Sequence, residues 1–162
     1  MKALGATIKL LLAITLLALL LVLGTIVRNW PPMFDAPGPV IRFGIYLTTN
    51  SVETRVYAAR PELRPRLYAA SPEATWQAAK RAVDELGWEI LHADADTLTL
   101  QAVATTPVLR FQDDIYIQAR AAEPDLSTVY FRSHSRMGRA DLAANTRHLL
   151  NFRRTLEQEL LR

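Results

Sequence analysis

Between Leu10 and Val27 the chain runs for 18 residues without a charge, with Lys2 and Lys9 ahead of the run and Arg28 behind it. As a helix rising ~1.5 Å per residue this run covers about 27 Å, close to the hydrocarbon thickness of a bilayer. Residues 1–28 therefore read as a transmembrane anchor. A cleaved signal peptide would share the basic start and the leucine-rich run. Cleavage asks for small residues at alternate positions, whereas Thr25-Ile26-Val27-Arg28-Asn29-Trp30 offers β-branched and bulky ones, so the reading is an uncleaved anchor. A lipid-modified cysteine is excluded, because the chain has no cysteine. Lys2, Lys9 and the amino group outweigh Arg28 and Arg42, the latter partly offset by Asp35. The positive-inside bias then places the amino terminus in the cytoplasm. In a bacterium this means a single-pass protein of the inner membrane, with its body in the periplasm or outside and Trp30 at the interface.

Charge narrows the partners. The net charge is +3, and the three basic residues before position 29 account for all of it. The rest of the chain is neutral overall, without the basic excess that a nucleic-acid binder needs. The absence of cysteine removes thiol chemistry but says nothing of compartment.

Residues 29–65 are punctuated by Pro31, Pro32, Pro37, Pro39, Pro61 and Pro65 and show no helical period. Proline fixes φ and pushes its predecessor to extended conformations, so this part reads as a stiff, extended spacer. Ile41–Leu47 and Thr54–Ala58 read as short strands within it.

Residues 66–162 carry regular patterns over a length suited to one small domain. Arg66–Ala70 reads as a strand. Ser71-Pro72-Glu73 is a helix start, with serine at the cap, proline at the first helical position and an acid in the first turn. Trp76, Ala79, Val83 and Leu86 then recur at helical spacing, and Gly87 supplies the stop. Four strand-like segments follow, Trp88–His92, Thr97–Ala104, Leu109–Arg120 and Ser127–His134, joined by connections carrying Asp94, Asp96, Pro107, Glu123, Pro124 and Asp125. Leu98, Leu100 and Ala102 alternate with threonines and a glutamine, the mark of a sheet with one buried face. A last helix, from about Asp141 to Leu161, carries Leu142, Leu149, Leu156 and Leu160 on one stripe. The fold class is α+β, with element order β-α-β-β-β-β-α. A four- to five-stranded antiparallel sheet would carry two helices on one face, a helix-grip-like layout.

Asp113 is the oddest residue of that domain, because it falls among Leu109, Phe111, Ile115 and Ile117 at spacing two. A carboxylate on a buried face needs partners, and Arg132 and Arg136 are the candidates. Asp113 and one arginine would form a buried tie between strand and C-terminal helix. The alternative is a polar pocket lined by Asp113, Asp114, Arg132, His134 and Arg136. Further on, Gly138 suits the turn from strand to helix, Asp141 a helix cap and Asn145 a contact back to the loop.

With Phe111-Gln112-Asp113-Asp114, the stretch Arg132-Ser133-His134-Ser135-Arg136-Met137-Gly138 and the following Asp141 and Asn145, the chain resembles the bacterial and plastid family known as domain of unknown function 1499. The resemblance covers residues 45–161 and is most specific over 132–145. Its matching positions are Phe111, Asp113, Asp114, Arg132, Ser133, Ser135, Arg136, Gly138, Asp141 and Asn145. The chain departs from the family pattern where Ser51 replaces a cysteine, and where Thr146 and His148 replace arginines. The resemblance implies a domain and no reaction, cofactor or ligand.

Chemistry has little to build on. Ser133, His134 and Ser135 are neighbours on a strand, so the histidine and the serines point to opposite faces and do not make a nucleophile and base pair. His92, His134 and His148 stand apart without metal-ligand spacing. They read as a strand-end residue, a partly exposed strand residue and a solvated helix residue. The sequence thus points to a non-enzymatic envelope protein without cofactor or metal, anchored through residues 10–27, whose domain contacts an unidentified envelope protein or the membrane surface. The alternative is a module that binds a small amphiphile through Arg132 or Arg136. A cavity lined by Phe111, Ile115 and Phe131 would favour the second reading, and a filled core the first.

Overall fold

The structure, a computed structural model, describes residues 2–106, 110–123 and 125–162. Pro107, Leu109 and Pro124, read above as turn and strand residues, lie outside the described residues. Helix α1, Lys2–Asn29, contains the uncharged run, with mean hydropathy 3.0 and its leucines exposed. Thr15 and Thr25 donate their hydroxyls to the carbonyls of Leu11 and Leu21, at 2.9 and 2.8 Å, so neither is left unsatisfied on an apolar helix.

Residues 29–65 are not the extended spacer that their prolines suggest. Pro39–Thr48 form helix α2, entered from Gly38 at φ 100° with Pro39 at its start, where the missing N–H costs nothing. Ile41–Leu47 is thus helical and not a strand. Thr54–Ala58 is also not a strand, since pairing is confined to β1, Ser51–Glu53. Pro61–Leu63 make a 3-10 turn. The cause is a buried cation. Arg42, 0 % exposed, and Tyr46 one turn later face inward, and the guanidinium holds Glu62 Oε1 and Oε2 at 2.5 and 2.8 Å. It also donates to the carbonyls of Asp35 and Ala36 and to Tyr46 Oη. Such a desolvated pair survives only when bidentate and otherwise satisfied, and both conditions are met. Arg153 then donates to the carbonyls of Glu62 and Arg64, tying the segment to the last helix.

Strand β2, Leu67–Tyr68, leads into α3, Pro72–Glu85, whose start is capped by Ser71 Oγ accepting from Ala74 N at 3.2 Å. Gly87, at φ 68°, ends that helix. β3 (Glu89–Asp94), β4 (Thr99–Thr105), β5 (Gln112–Glu123) and β6 (Leu126–Ser135) form an antiparallel meander, and α4, Ala144–Leu160, closes the chain. The sheet has six strands in the order β1-β6-β5-β4-β3, with β2 pairing the other end of β6. It therefore gains β1 over the four to five strands expected. α3 and α4 pack together on one face, burying Trp76, Ala79 and Val83 of α3 and Leu149, Phe152 and Leu156 of α4 against Leu100, Ile115, Ile117 and Phe131. Phe131 and Phe152 stack at 5.3 Å. Two expectations need correcting. Phe111 precedes β5, after Arg110 at φ 56°, and is exposed. Leu142 precedes α4, at φ 49°, and packs away from the main core.

Leu142 belongs instead to a second cluster, in which Ile26 of α1 packs with Tyr46 and Ala143 and is joined by Val22, Met33 and Ile45. Asn29 Nδ2 donates to Leu142 O at 2.7 Å. The last two turns of α1 are thereby fixed to the domain.

Candidate functional site

The inward residues of β5 and β6 meet the first turns of α4 at one end of the sheet. Alternation along β6 turns Ser133 and Ser135 inward and His134 outward, as strand geometry requires. Asn145, fully buried, organises the site. Its Oδ1 accepts from Ser133 Oγ, and its Nδ2 donates to Asn50 O at 2.9 Å, Ser135 Oγ at 3.0 Å and Asp141 Oδ2 at 2.7 Å. Asp141 also caps the helix, accepting from Ala143 N at 2.9 Å and Asn145 N at 3.1 Å. Asn50 reaches the other side of the loop, donating to Gly138 O at 2.8 Å, where Gly138 takes φ 86°. Burial, with the nearby charge of Asp113, raises the Asp141 carboxyl above its ordinary value against the pull of these donors.

Asp113, 2 % exposed, does not pair with Arg132 or Arg136. Its Oδ2 lies 2.9 Å from His148 Nε2, and Ser135 adds a hydroxyl hydrogen bond. Burial pushes this carboxyl up, but the hydrogen bonds outweigh it and hold the group below the usual carboxylate range. His148 is not a solvated helix residue. It is 15 % exposed and stands edge-on to Trp88 at 5.4 Å. The tie between strand and C-terminal helix thus exists, with His148 and not an arginine as its partner.

The remaining candidates lie elsewhere. Asp114, one residue on, points outward and holds Arg136 at 2.7–2.9 Å, with Gln112 Oε1 as the arginine's second acceptor. This pair is exposed and ties the loop after β6 to the start of β5. Arg132 faces outward into an open groove of about 440 Å³ that also presents Ile45, Val52, Glu53, Arg55 and Arg60. Arg136 does not line that groove. Of the polar candidates, Ser133, Ser135, Gly138, Asp141 and Asn145 form one network joined to Asp113 through Ser135. Asp114 with Arg136, and Arg132 alone, stand outside it.

The cluster contains serine, histidine and aspartate, but in an order that does not activate a nucleophile. Asp113 sits between Ser135 and His148, so the imidazole nitrogen that would take the serine proton is already engaged by the carboxylate. Among the described residues no group of three or more histidine or acidic side chains converges as a metal site would. Sequence reasoning missed Asn50, His148, Arg42 and Glu62. For His148 there was a signal: Asp113 needed a cation, and the chain departs from the family pattern at that residue.

A family model described as "Protein of unknown function (DUF1499)" matches residues 46–156. No curated protein matches the chain. Among solved structures, the crystal structure of TTHA0849 from Thermus thermophilus is similar, at 11 % identity and TM-score 0.37 over 68 % of this chain and 97 % of that one.

Proposed function

We propose, for a chain that belongs to the DUF1499 family of proteins of unknown function, that it is a single-pass membrane protein whose domain rests on the outer surface of a bacterial inner membrane and works by contact, not by catalysis. One observation carries this reading. A simple tether would leave α1 through a free linker, but here Ile26 and Asn29 are bound to Ala143, Tyr46 and Leu142. The domain then has a fixed attitude to the membrane and presents one chosen surface to a partner. The core agrees with a contact role, since Ile115 and Phe131 are buried in one cluster with the inward residues of α3 and α4.

The second reading, a binding module for a small anionic amphiphile, draws on the groove beside Arg132. Native mass spectrometry of the full chain released from detergent separates the two. A mass increment the size of a second protein supports the contact reading. A small adduct lost in Arg132→Ala overturns it in favour of the groove. Orientation has its own test: Asp84→Cys, the only thiol in the chain, reacts with an impermeant maleimide in spheroplasts if the domain is outside, and only after lysis if it is not.

A further inference from the structure

The outer face of α2 has no partner among the described residues. Val40, Phe43 and Leu47 recur at spacing three and four and are all exposed, with Ile41 beside them. The helix's single charge, Arg42, is turned inward to Glu62, so the exposed face presents no charged side chain. Two further large apolar residues of the same segment are open, Trp30 at 81 % and Phe34 at 89 %. This inverts the usual amphipathic surface helix, whose apolar side faces its own core.

The position of α2 names what covers it. α2 shares one apolar cluster with the last turns of the apolar helix, in which its Tyr46 and Ile45 stand with Val22 and Ile26. α1 has 28 residues, about 42 Å of helix, against a hydrocarbon thickness of roughly 30 Å. When the uncharged run fills the hydrocarbon, Ile26 lies at its outer boundary, and α2 lies level with it. An apolar helix face at that depth, flanked by an exposed tryptophan, matches the headgroup and acyl boundary, where indole rings and interfacial helices partition. Thr48 Oγ1 donates to Gly44 O at 2.8 Å, so that hydroxyl is satisfied within the helix.

We propose that α2 is a second membrane contact: an interfacial helix whose Val40, Phe43 and Leu47 insert into the lipid surface beside the span, with Trp30 and Phe34. This rests on the reading of α1 as a membrane span. The lipid bilayer is the occupant because the face continues a surface that already ends in lipid.

The chain has no native cysteine, so each introduced thiol is unique. Full-length Val40→Cys, Phe43→Cys and Leu47→Cys carry a nitroxide spin label in vesicles of phosphatidylethanolamine and phosphatidylglycerol, with Leu17→Cys as the depth control and Asp84→Cys as the aqueous control. Collision with oxygen is expected to exceed collision with a water-soluble nickel chelate at 40, 43 and 47, less strongly than at 17, and to fall below it at 84. If 40, 43 and 47 behave as 84 does while 17 stays deep, α2 is in water and the proposal fails with the anchor intact. If 17 is also aqueous, the anchor reading fails and the proposal with it. Protection from both reagents, with dipolar broadening between identical labels, would assign the face to a second copy of the chain and overturn the lipid assignment.

Discussion

Replacing Asp113 by asparagine keeps the shape of the side chain and removes its charge, so it isolates the strand-to-helix tie. The carboxylate is buried, with His148 Nε2 at 2.9 Å and the Ser135 hydroxyl beside it. A hydrogen bond to a charged group contributes about 1.5–3 kcal/mol, and relief of the carboxylate's burial offsets part of the loss. The expected net cost is ~2 kcal/mol, or a fall in Tm of roughly 10 °C for a domain of this size. The assay is thermal unfolding of the full chain in nanodiscs by near-UV circular dichroism, with Trp88, edge-on to His148, as a local reporter. The pH dependence gives a second readout. Burial acts to raise the Asp113 carboxyl, but the His148 and Ser135 hydrogen bonds leave it lowered in the folded chain. Its contribution is therefore present above the unfolded value of about 3.9 and lost as pH falls through the lower folded value. Asp113→Asn lacks this step, so wild type and variant converge below about pH 4. A Tm within ~2 °C of wild type at neutral pH, or a gap that persists undiminished in acid, refutes the reasoning.

Arg42→Met leaves Glu62 buried and unpaired and should cost ~3 kcal/mol, while adding Glu62→Met recovers most of the loss, as replacement of both members of a buried pair often does. Denaturant midpoints of the two variants in nanodiscs check this, and equal loss in single and double variants contradicts it. Asn145→Ala strips the amide from Ser133, Ser135, Asn50 and Asp141 together. It should lower stability by ~3 kcal/mol, more than the loss of any single neutral hydrogen bond, and thermal unfolding reads it directly.

The helices and meander of the domain were legible because their patterns are local. Ser71-Pro72-Glu73 and Gly87 bracket α3 with capping chemistry that needs no tertiary context, and Leu100 and Ala102 of β4 are buried at spacing two as their pattern implies, although Thr99 and Val103 on either side of them are buried as well. α2 was missed because a short apolar-rich run fits a strand as readily as a helix, and proline density argued for extension. The deciding signal, Arg42 and Tyr46 at spacing four, acquires meaning only with Glu62 twenty residues on. At the site, the Asp113 anomaly was visible, but its partner was sought on the adjoining strand and loop. His148 falls on the same helical face as Asn145, Leu149 and Phe152, and the leucine stripe alone did not include it.

The docking of α1 also fixes an order of events. Two of its partners, Leu142 and Ala143, lie more than a hundred residues further along the chain, and Arg153, which holds the Glu62 carbonyl, comes later still. A chain synthesised from the amino terminus makes α1 first and has its partners Met33, Ile45 and Tyr46 soon after, yet the Asn29 bond to Leu142 and the packing on Ala143 exist only after the loop before α4 has emerged. The first segment to be made thus completes its contacts only when nearly the whole chain is present.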